Sequence, residues 1–323
     1  MGRSHVMFQS PGGMNISSLA QETMCYIGQQ LVFAEAEQVI NHLSGAAVNA
    51  KQIERVCHHY GQALEDENQQ VIAQQVYKEY QGEQVDQRHY VSVDGAMYLT
   101  REESWKENKL GRIYRQDDRV RISKDRTLLT DSTYVSHLGH YQDFITKMNY
   151  ELENLNQLVF IADGARWIWK WVDATYPEST QIVDFYHVKE HLCAFAKLHF
   201  RDQEQRTMWT QQMSQVMLSQ GISSVITALQ AMPGQKGSDQ KRKQLLGYLS
   251  ENEERMQYHD FIKQGMLIGS GAIEAAHRDV LQERMKLSGQ RWTLKGFQQM
   301  AQLRVAYKNN QAQRITNLCK QAA

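Results

Sequence analysis

The chain has 323 residues, 41% of them hydrophobic and only 3 proline, which is enough to bury a sizeable core in one large domain or two modest ones. Lys plus Arg and Asp plus Glu both number 36, so no whole-chain field draws the protein toward polyanions, and a nucleic-acid role must rest on local basic clusters. No apolar run is long enough to cross a bilayer, and the start Met1-Gly2-Arg3-Ser4-His5 lacks the features of a signal peptide. The scattered Cys25, Cys57, Cys193 and Cys319 form neither a disulfide framework nor a cysteine-rich zinc module, so a cytoplasmic protein with reduced thiols and no membrane partner is expected.

Residues 1–14 read as a flexible leader closed by Pro11-Gly12-Gly13. Helical spacing follows. Ser17 or Ser18 caps a first helix, and Phe33 to Leu43 forms a second with Ala36, Val39, Ile40 and Leu43 on one face. After a turn at Ser44-Gly45, Asn49 caps a third helix with Ile53, Val56 and Cys57 inward and Lys51, Gln52 and Arg55 outward. The all-α region 15–88 is therefore either a helix-turn-helix, with Lys51 and Arg55 facing DNA, or an ordinary helical hairpin.

From His89 the spacing becomes that of strands. His89–Leu99, Gly111–Ser123 and Leu129–Leu138 predict an antiparallel meander, rich in Val, Ile, Tyr and Thr. A helix over His140 to about Leu155, a strand at Leu158–Ala162, a helix over Ala165–Asp173 and a strand over Gln181–Tyr186 come next. This order matches the α/β ribonuclease H-like mixed sheet, in which the first and fourth strands are neighbours. Residues 89–200 would form the first part of that core. A helical insertion is expected at 201–265, broken at Pro233-Gly234, and 266–323 would complete the core with a further helix.

Two apolar runs end alike, in Asp94-Gly95-Ala96 and Asp163-Gly164-Ala165. Asp-Gly alone is a turn signal. Two copies at neighbouring strand ends suit a divalent-metal site, because hard cations take oxygen ligands and a strand end holds a carboxylate rigidly. The segment Asp184 to His191 is open to two readings. His187, Glu190 and His191 match the His-x-x-Glu-His pattern of a zinc metallopeptidase, with Glu274 as a further ligand. Alternatively, Asp184 and His187 position substrate beside the two aspartates, and His191 is a partly exposed helical histidine. The peptidase reading leaves Asp94 and Asp163 without work. Further on, Ile268-Gly269-Ser270-Gly271-Ala272-Ile273-Glu274 leads into a helix whose first-turn Glu274 can face the strand ends as a third acidic ligand.

Asp94, Asp163-Gly164-Ala165, Asp184 with His187, and Gly269-Ser270-Gly271-Ala272-Ile273-Glu274 leading to Gln282, Arg284-Met285-Lys286 and Ser288-Gly289-Gln290-Arg291-Trp292 together resemble bacterial insertion-sequence DDE transposases. The match is to the ISKra-type and ISLre-type groups, related to the Mutator-like transposases, and spans roughly Ser17 to the C-terminus. The resemblance implies that Asp94, Asp163 and Glu274 hold two Mg²⁺ or Mn²⁺ ions, with Asp184 and His187 close to the chemistry. It also implies cleavage and strand transfer of insertion-sequence DNA by in-line attack at phosphorus, with ions roughly 3.5 to 4 Å apart. Arg278, Arg284, Lys286 and Arg291 would neutralise phosphates, while Trp292 is open between stacking on an unpaired base and core packing. The partners implied are element-end and target DNA and, in the synaptic complex, further copies of the chain. Relatives carry a longer, cysteine-bearing N-terminal region, so a truncated copy is expected, with a DNA-binding remnant or repressor as the non-enzymatic alternative.

Overall fold

The computed structural model describes residues 16–74, 87–123, 126–235 and 237–321. The expected leader and Lys236 lie outside the described residues. The architecture is mixed α/β. Strands β1 (His89–Thr100) and β2 (Ser104–Arg115) form a long antiparallel hairpin in continuous register from His89↔Arg115 to Thr100↔Ser104. β5 (Thr133–Leu138) adds antiparallel to β2, while β6 (Leu158–Ala162) and β7 (Thr180–Val183) add parallel on the other side of β1. The strand order is therefore β5-β2-β1-β6-β7.

The expected single strand over Gly111–Ser123 is divided in two. A 3-10 turn at Gln116–Asp118 ends β2, where Asp118 accepts from the Arg115 N–H at 3.1 Å and pairs with its guanidinium at 2.8 Å. The chain then makes a separate two-stranded sheet from β3 (Arg119–Ser123) and β4 (Arg126–Leu129) before β5 returns to the main sheet.

Helices α1 (Ser18–Gly28), α2 (Phe33–Ser44) and α3 (Ala50–Ala73) precede the sheet. Gly45 leaves α2 at φ 64°, and Asn49 with Gln52 forms a reciprocal capping box that starts α3. These helices do not build a core of their own. Met24, Cys25, Ile53, Cys57, Tyr60 and Leu64 pack into one apolar cluster with Tyr98 and Leu110 of the hairpin and with residues 273–319. The ends of the chain thus close over one face of the sheet, and the expected boundary at 88 separates no core. On the other face lie α4 (Tyr141–Leu152) and α5 (Arg166–Thr175), where Phe144, Met148, Trp169 and Trp171 cover Val91, Val93 and Phe160.

Beyond β7 come α6 (Phe185–His199) and a helical lobe, α7 (Gln203–Ser219), α8 (Ile222–Ala231), α9 (Asp239–Glu251) and α10 (Tyr258–Lys263), interrupted around Pro233-Gly234 as expected. Its apolar residues, among them Met217, Val225, Leu245 and Leu249, are continuous with the core on the α4 side. Arg255 docks the lobe: its guanidinium chelates Asp173 at 2.8 and 2.9 Å and lies 5.0 Å from the Trp169 ring centroid, while Tyr258 donates to the Val183 carbonyl.

The chain ends in α11 (Gly271–Ala276), a π-helical stretch His277–Gln282, α12 (Glu283–Met285), α13 (Leu294–Lys308) and α14 (Ala312–Gln321). α13 carries ten buried residues and seals the sheet edge. Asn309 accepts from and donates to the Tyr134 backbone, Gln302 donates to the Ser136 carbonyl, and Gln298 accepts from the Leu138 N–H. Side-chain amides thereby satisfy the free backbone groups of β5, which an exposed edge would offer to other chains. Among the described residues no helix is long and apolar enough to cross a membrane.

Candidate active site

β1 outlasts its parallel neighbour. The last paired residues are Val93 and Ala162, so the next residue along each chain is an aspartate; Asp163 follows the end of β6, whereas Asp94 lies in the middle of β1, which runs on to Thr100 paired with β2, so the expected strand end at Asp94 is only the end of the parallel pairing. Asp94 Oδ1 accepts from the Gly95 N–H at 2.7 Å. Asp163 Oδ1 accepts from the Ala165 N–H at 2.9 Å, and the Asp163 carbonyl accepts from Trp169 Nε1, which fixes the start of α5.

Glu274 is exposed in the first turn of α11 and is held near this part of the sheet by two latches. The first is Asp184, only 3% exposed. It sits at the N-cap of α6, not on a strand as the sequence suggested, because β7 stops at Val183. Its Oδ1 accepts from the His187 N–H at 2.7 Å and its Oδ2 from the Ser270 N–H, while the Phe185 N–H bonds the Ile268 carbonyl. Gly269 belongs to this latch, since a Cβ there would come within 2.7 Å of the Tyr186 ring. The second latch is Arg112 of β2, buried between Tyr114 and Tyr134, which donates to the Ala272 carbonyl at 2.8 Å.

The carboxylates feel one another. Burial pushes the Asp94 carboxyl up to about 6; the Gly95 hydrogen bond opposes this, Asp163 and Glu274 add to it, and His187 opposes it. The acidic residues that the sequence singled out are therefore electrostatic neighbours. They are not drawn into one ligand set as they stand: among the described residues no three His, Cys, Asp or Glu side chains are grouped closely enough to hold an ion. Both aspartates instead turn one oxygen onto backbone N–H groups. The donor chemistry still suits a hard divalent cation, because all three groups are carboxylates and the charge on Asp94 is costly without a positive partner.

His277 went unassigned in the sequence. It lies three residues after Glu274, at the start of the π stretch, a distortion that often marks functional sites. It is 3% exposed, and Nε2 lies 3.6 Å from Asp94 Oδ2. Burial pulls this imidazole down to about 4, against the Asp94 backbone and with help from Lys286, so it is neutral at pH 7. The glutamate-x-x-histidine spacing was the available signal.

His187 is half-buried. Its Nε2 lies 3.2 Å from His191 Nε2, so the two imidazoles share a helical face as the peptidase pattern requires, while Glu190, its side chain 80% exposed, approaches the other His187 nitrogen, Nδ1, at 3.8 Å. His191 packs its ring 4.5 Å from that of Tyr248 on α9, and burial, His187 and Lys241 pull it down to about 4. Burial, Asp163 and Asp184 all push the Tyr248 phenol upward, so it stays protonated. Nothing in the sequence around Tyr248 marked it.

The basic residues divide. Lys51 and Arg55 are exposed at the start of α3, with the exposed Glu54 between them, and Arg278, Lys286 and Arg291 are exposed after Glu274. Arg284 corrects the expectation: it is 1% exposed, donates to the Gly28 carbonyl at 3.1 Å, and lies between the rings of Phe33 and Trp292 at 4.7 and 5.4 Å. It falls four residues after buried Val280, on the inward face. Trp292 resolves to core packing, with Nε1 donating to the Met285 carbonyl and its backbone bridging the end of β1.

The chain belongs to the uncharacterised protein family UPF0236, whose family model matches residues 36–322. No curated protein matches it.

Proposed function

We propose that this UPF0236 protein is a DDE-type transposase, a divalent-metal-dependent polynucleotidyl transferase that cleaves and transfers the ends of insertion-sequence DNA on a ribonuclease H-like sheet. The observation that supports this reading is that Asp94 and Asp163 each sit one register step beyond the last parallel pair while Glu274 is latched to the same part of the sheet, close enough that Asp163 and Glu274, with burial, make Asp94 less acidic.

Asp94, Asp163 and Glu274 would hold Mg²⁺ or Mn²⁺. The chemistry such cations would supply there is polarisation of the scissile phosphate and stabilisation of the leaving 3′-oxygen. The chain's own residues do the positioning. Asp184 fixes the start of α6 and the backbone ahead of Glu274, while neutral His277 packs beside the Asp94 carboxylate without competing for its charge. Arg278, Lys286 and Arg291 offer exposed cations to the phosphates flanking the scissile bond, and Lys51 and Arg55 offer a second contact at α3. No side chain needs to bond covalently to DNA, since a water or a 3′-hydroxyl is a sufficient nucleophile. Synapsis of two element ends calls for a homo-oligomer.

The test is incubation of purified protein and Mn²⁺ with labelled DNA from both flanks of its gene. Site-specific nicking that disappears in Asp94→Ala, Asp163→Ala and Glu274→Ala supports the enzyme, and binding without nicking identifies a remnant or repressor. The 3.2 Å approach of the His187 and His191 nitrogens favours the zinc peptidase as second reading; it predicts tightly held zinc lost in His187→Ala and no DNA cleavage.

A further inference from the structure

One side of α6 carries a stripe of half-buried and exposed side chains. Tyr186, Lys189, Cys193 and Lys197 recur at spacings of three, four and four, so they fall on one helical face, distinct from that of His187 and His191. Beside it α7 contributes Gln203, Arg206 and Thr207, and the two helices flank an open groove of about 210 Å³ whose other wall holds Lys189, Cys193 and Lys197. Among the described residues no acid lines this groove. Glu190 approaches His187 Nδ1, and Asp202 caps α7 by accepting from the Gln205 N–H. No carboxylate among the described residues pairs with Lys189, Lys197 or Arg206, and Arg206 donates to the Phe200 and Arg201 carbonyls. Three like charges in one groove oppose one another, yet a chain with 36 acidic residues sets none there to offset them. The charge that completes the groove is that of a polyanion.

The head of the stripe selects which polyanion. Tyr186 is 60% exposed, two residues after Asp184 at the start of α6. Its ring is pinned on one side, since a Cβ at Gly269 would fall 2.7 Å from Cε2, and Phe185 stands edge-on with 5.4 Å between centroids. A ring held in place with most of its surface open offers a stacking platform to a base, and an aromatic ring heading a basic groove is the combination that holds single strands. From Lys189 to Lys197 is about 12 Å along the helix, roughly three to four nucleotide steps.

We propose that this face of α6, with Arg206, is a track for a single DNA strand, in which a base stacks on Tyr186 and the phosphates that follow are neutralised by Lys189, Lys197 and Arg206. This deepens the transposase reading, on which the identification of the strand as element DNA beside the scissile phosphate rests.

The test is the salt dependence of binding between the full chain and a fluorescein-labelled single strand from the flank of its gene, followed by anisotropy. Lys189→Gln with Lys197→Gln should reduce the slope of log K against log salt by about 1.4, the share of two phosphate contacts on a single strand. Tyr186→Ala should weaken binding about 10-fold with the slope unchanged, and Tyr186→Phe should restore it, because the stacking face returns. Cys193 is the one cysteine of the four that is not buried, so a strand bearing an activated disulfide on one phosphate should crosslink to it and fail to crosslink to Cys193→Ser. Equal slope and affinity in these variants, with no crosslink at Cys193, overturns the track, and nicking by the unaltered protein then leaves the transposase reading standing. Tighter binding of duplex than of single strand also overturns it, since a paired base cannot stack on Tyr186. Strand binding that depends on these residues, without nicking, sustains the track and sinks the transposase reading.

Discussion

Replacing Asp184 by alanine should uncouple the Glu274 segment from the sheet while leaving Asp94, Asp163 and Glu274 intact. Two backbone donors lose their acceptor. Loss of the α6 cap at His187 costs about 0.5–2 kcal/mol, and loss of the charge-assisted bond from the half-buried Ser270 N–H costs about 1.5–3 kcal/mol. Together the expected destabilisation is about 2–5 kcal/mol. With a urea m-value of about 3 kcal/mol/M, the midpoint should drop by about 1 M. Asp184→Asn keeps one carbonyl oxygen for two N–H groups and turns its amide toward the other, so it should recover roughly half of the loss. At 0 M urea, where the variants remain folded, nicking should still fall steeply, because Ile268 to Gly271 no longer anchor α11. Unchanged midpoints in both variants, or full nicking by Asp184→Ala, would refute the latch.

Three further outcomes follow from the same contacts. His137 and His277, with side chains 15% and 3% exposed, are each pulled down to about 4 by burial, so the folded protein holds them neutral while the unfolded chain protonates them near 6.5. Stability should therefore be complete above pH 6.5 and be lost as pH falls toward 4, by up to about 3 kcal/mol for each imidazole, measurable by urea titration across that window. Glu65 receives both 2.7 Å bonds from buried Lys147, linking α3 to α4; Glu65→Gln should cost about 3–5 kcal/mol by stranding the ammonium, whereas Glu65→Leu with Lys147→Met should be nearly neutral by the same denaturation assay. Arg284→Ala should lower Tm without altering the salt dependence of DNA binding, while Arg278→Ala and Arg291→Ala should leave Tm unchanged and each reduce the slope of log K against log salt by about 1.

Local chemistry made much of this fold legible. Asn49 announced the start of α3, the unbroken run Leu158–Ala162 marked β6, and the shared Asp-Gly-Ala motifs pointed to two carboxylates that prove to lie one register step past a parallel pair. What failed depended on partners distant in the chain. The turn at Gln116–Asp118 rests on a side chain returning to Arg115 within an otherwise strand-like run, and Asp184 reads as the tail of an apolar strand until Ser270 supplies its second donor. Arg284 looked like a phosphate ligand because charge usually means surface; Phe33, Trp292 and the Gly28 carbonyl, far away in sequence, make an interior place for it. Cys25, Cys57 and Cys319, scattered in the chain, fall in one buried cluster for the same reason. Tyr248 belongs with these cases, since only its packing on His191 connects it to the site.

The most direct measurement is anomalous diffraction from crystals soaked in Mn²⁺. The account predicts manganese peaks contacted by the carboxylates of Asp94, Asp163 and Glu274, with the peaks absent in Glu274→Gln. Manganese bound elsewhere only, or bound by the two aspartates with residue 274 turned away from them, would contradict it.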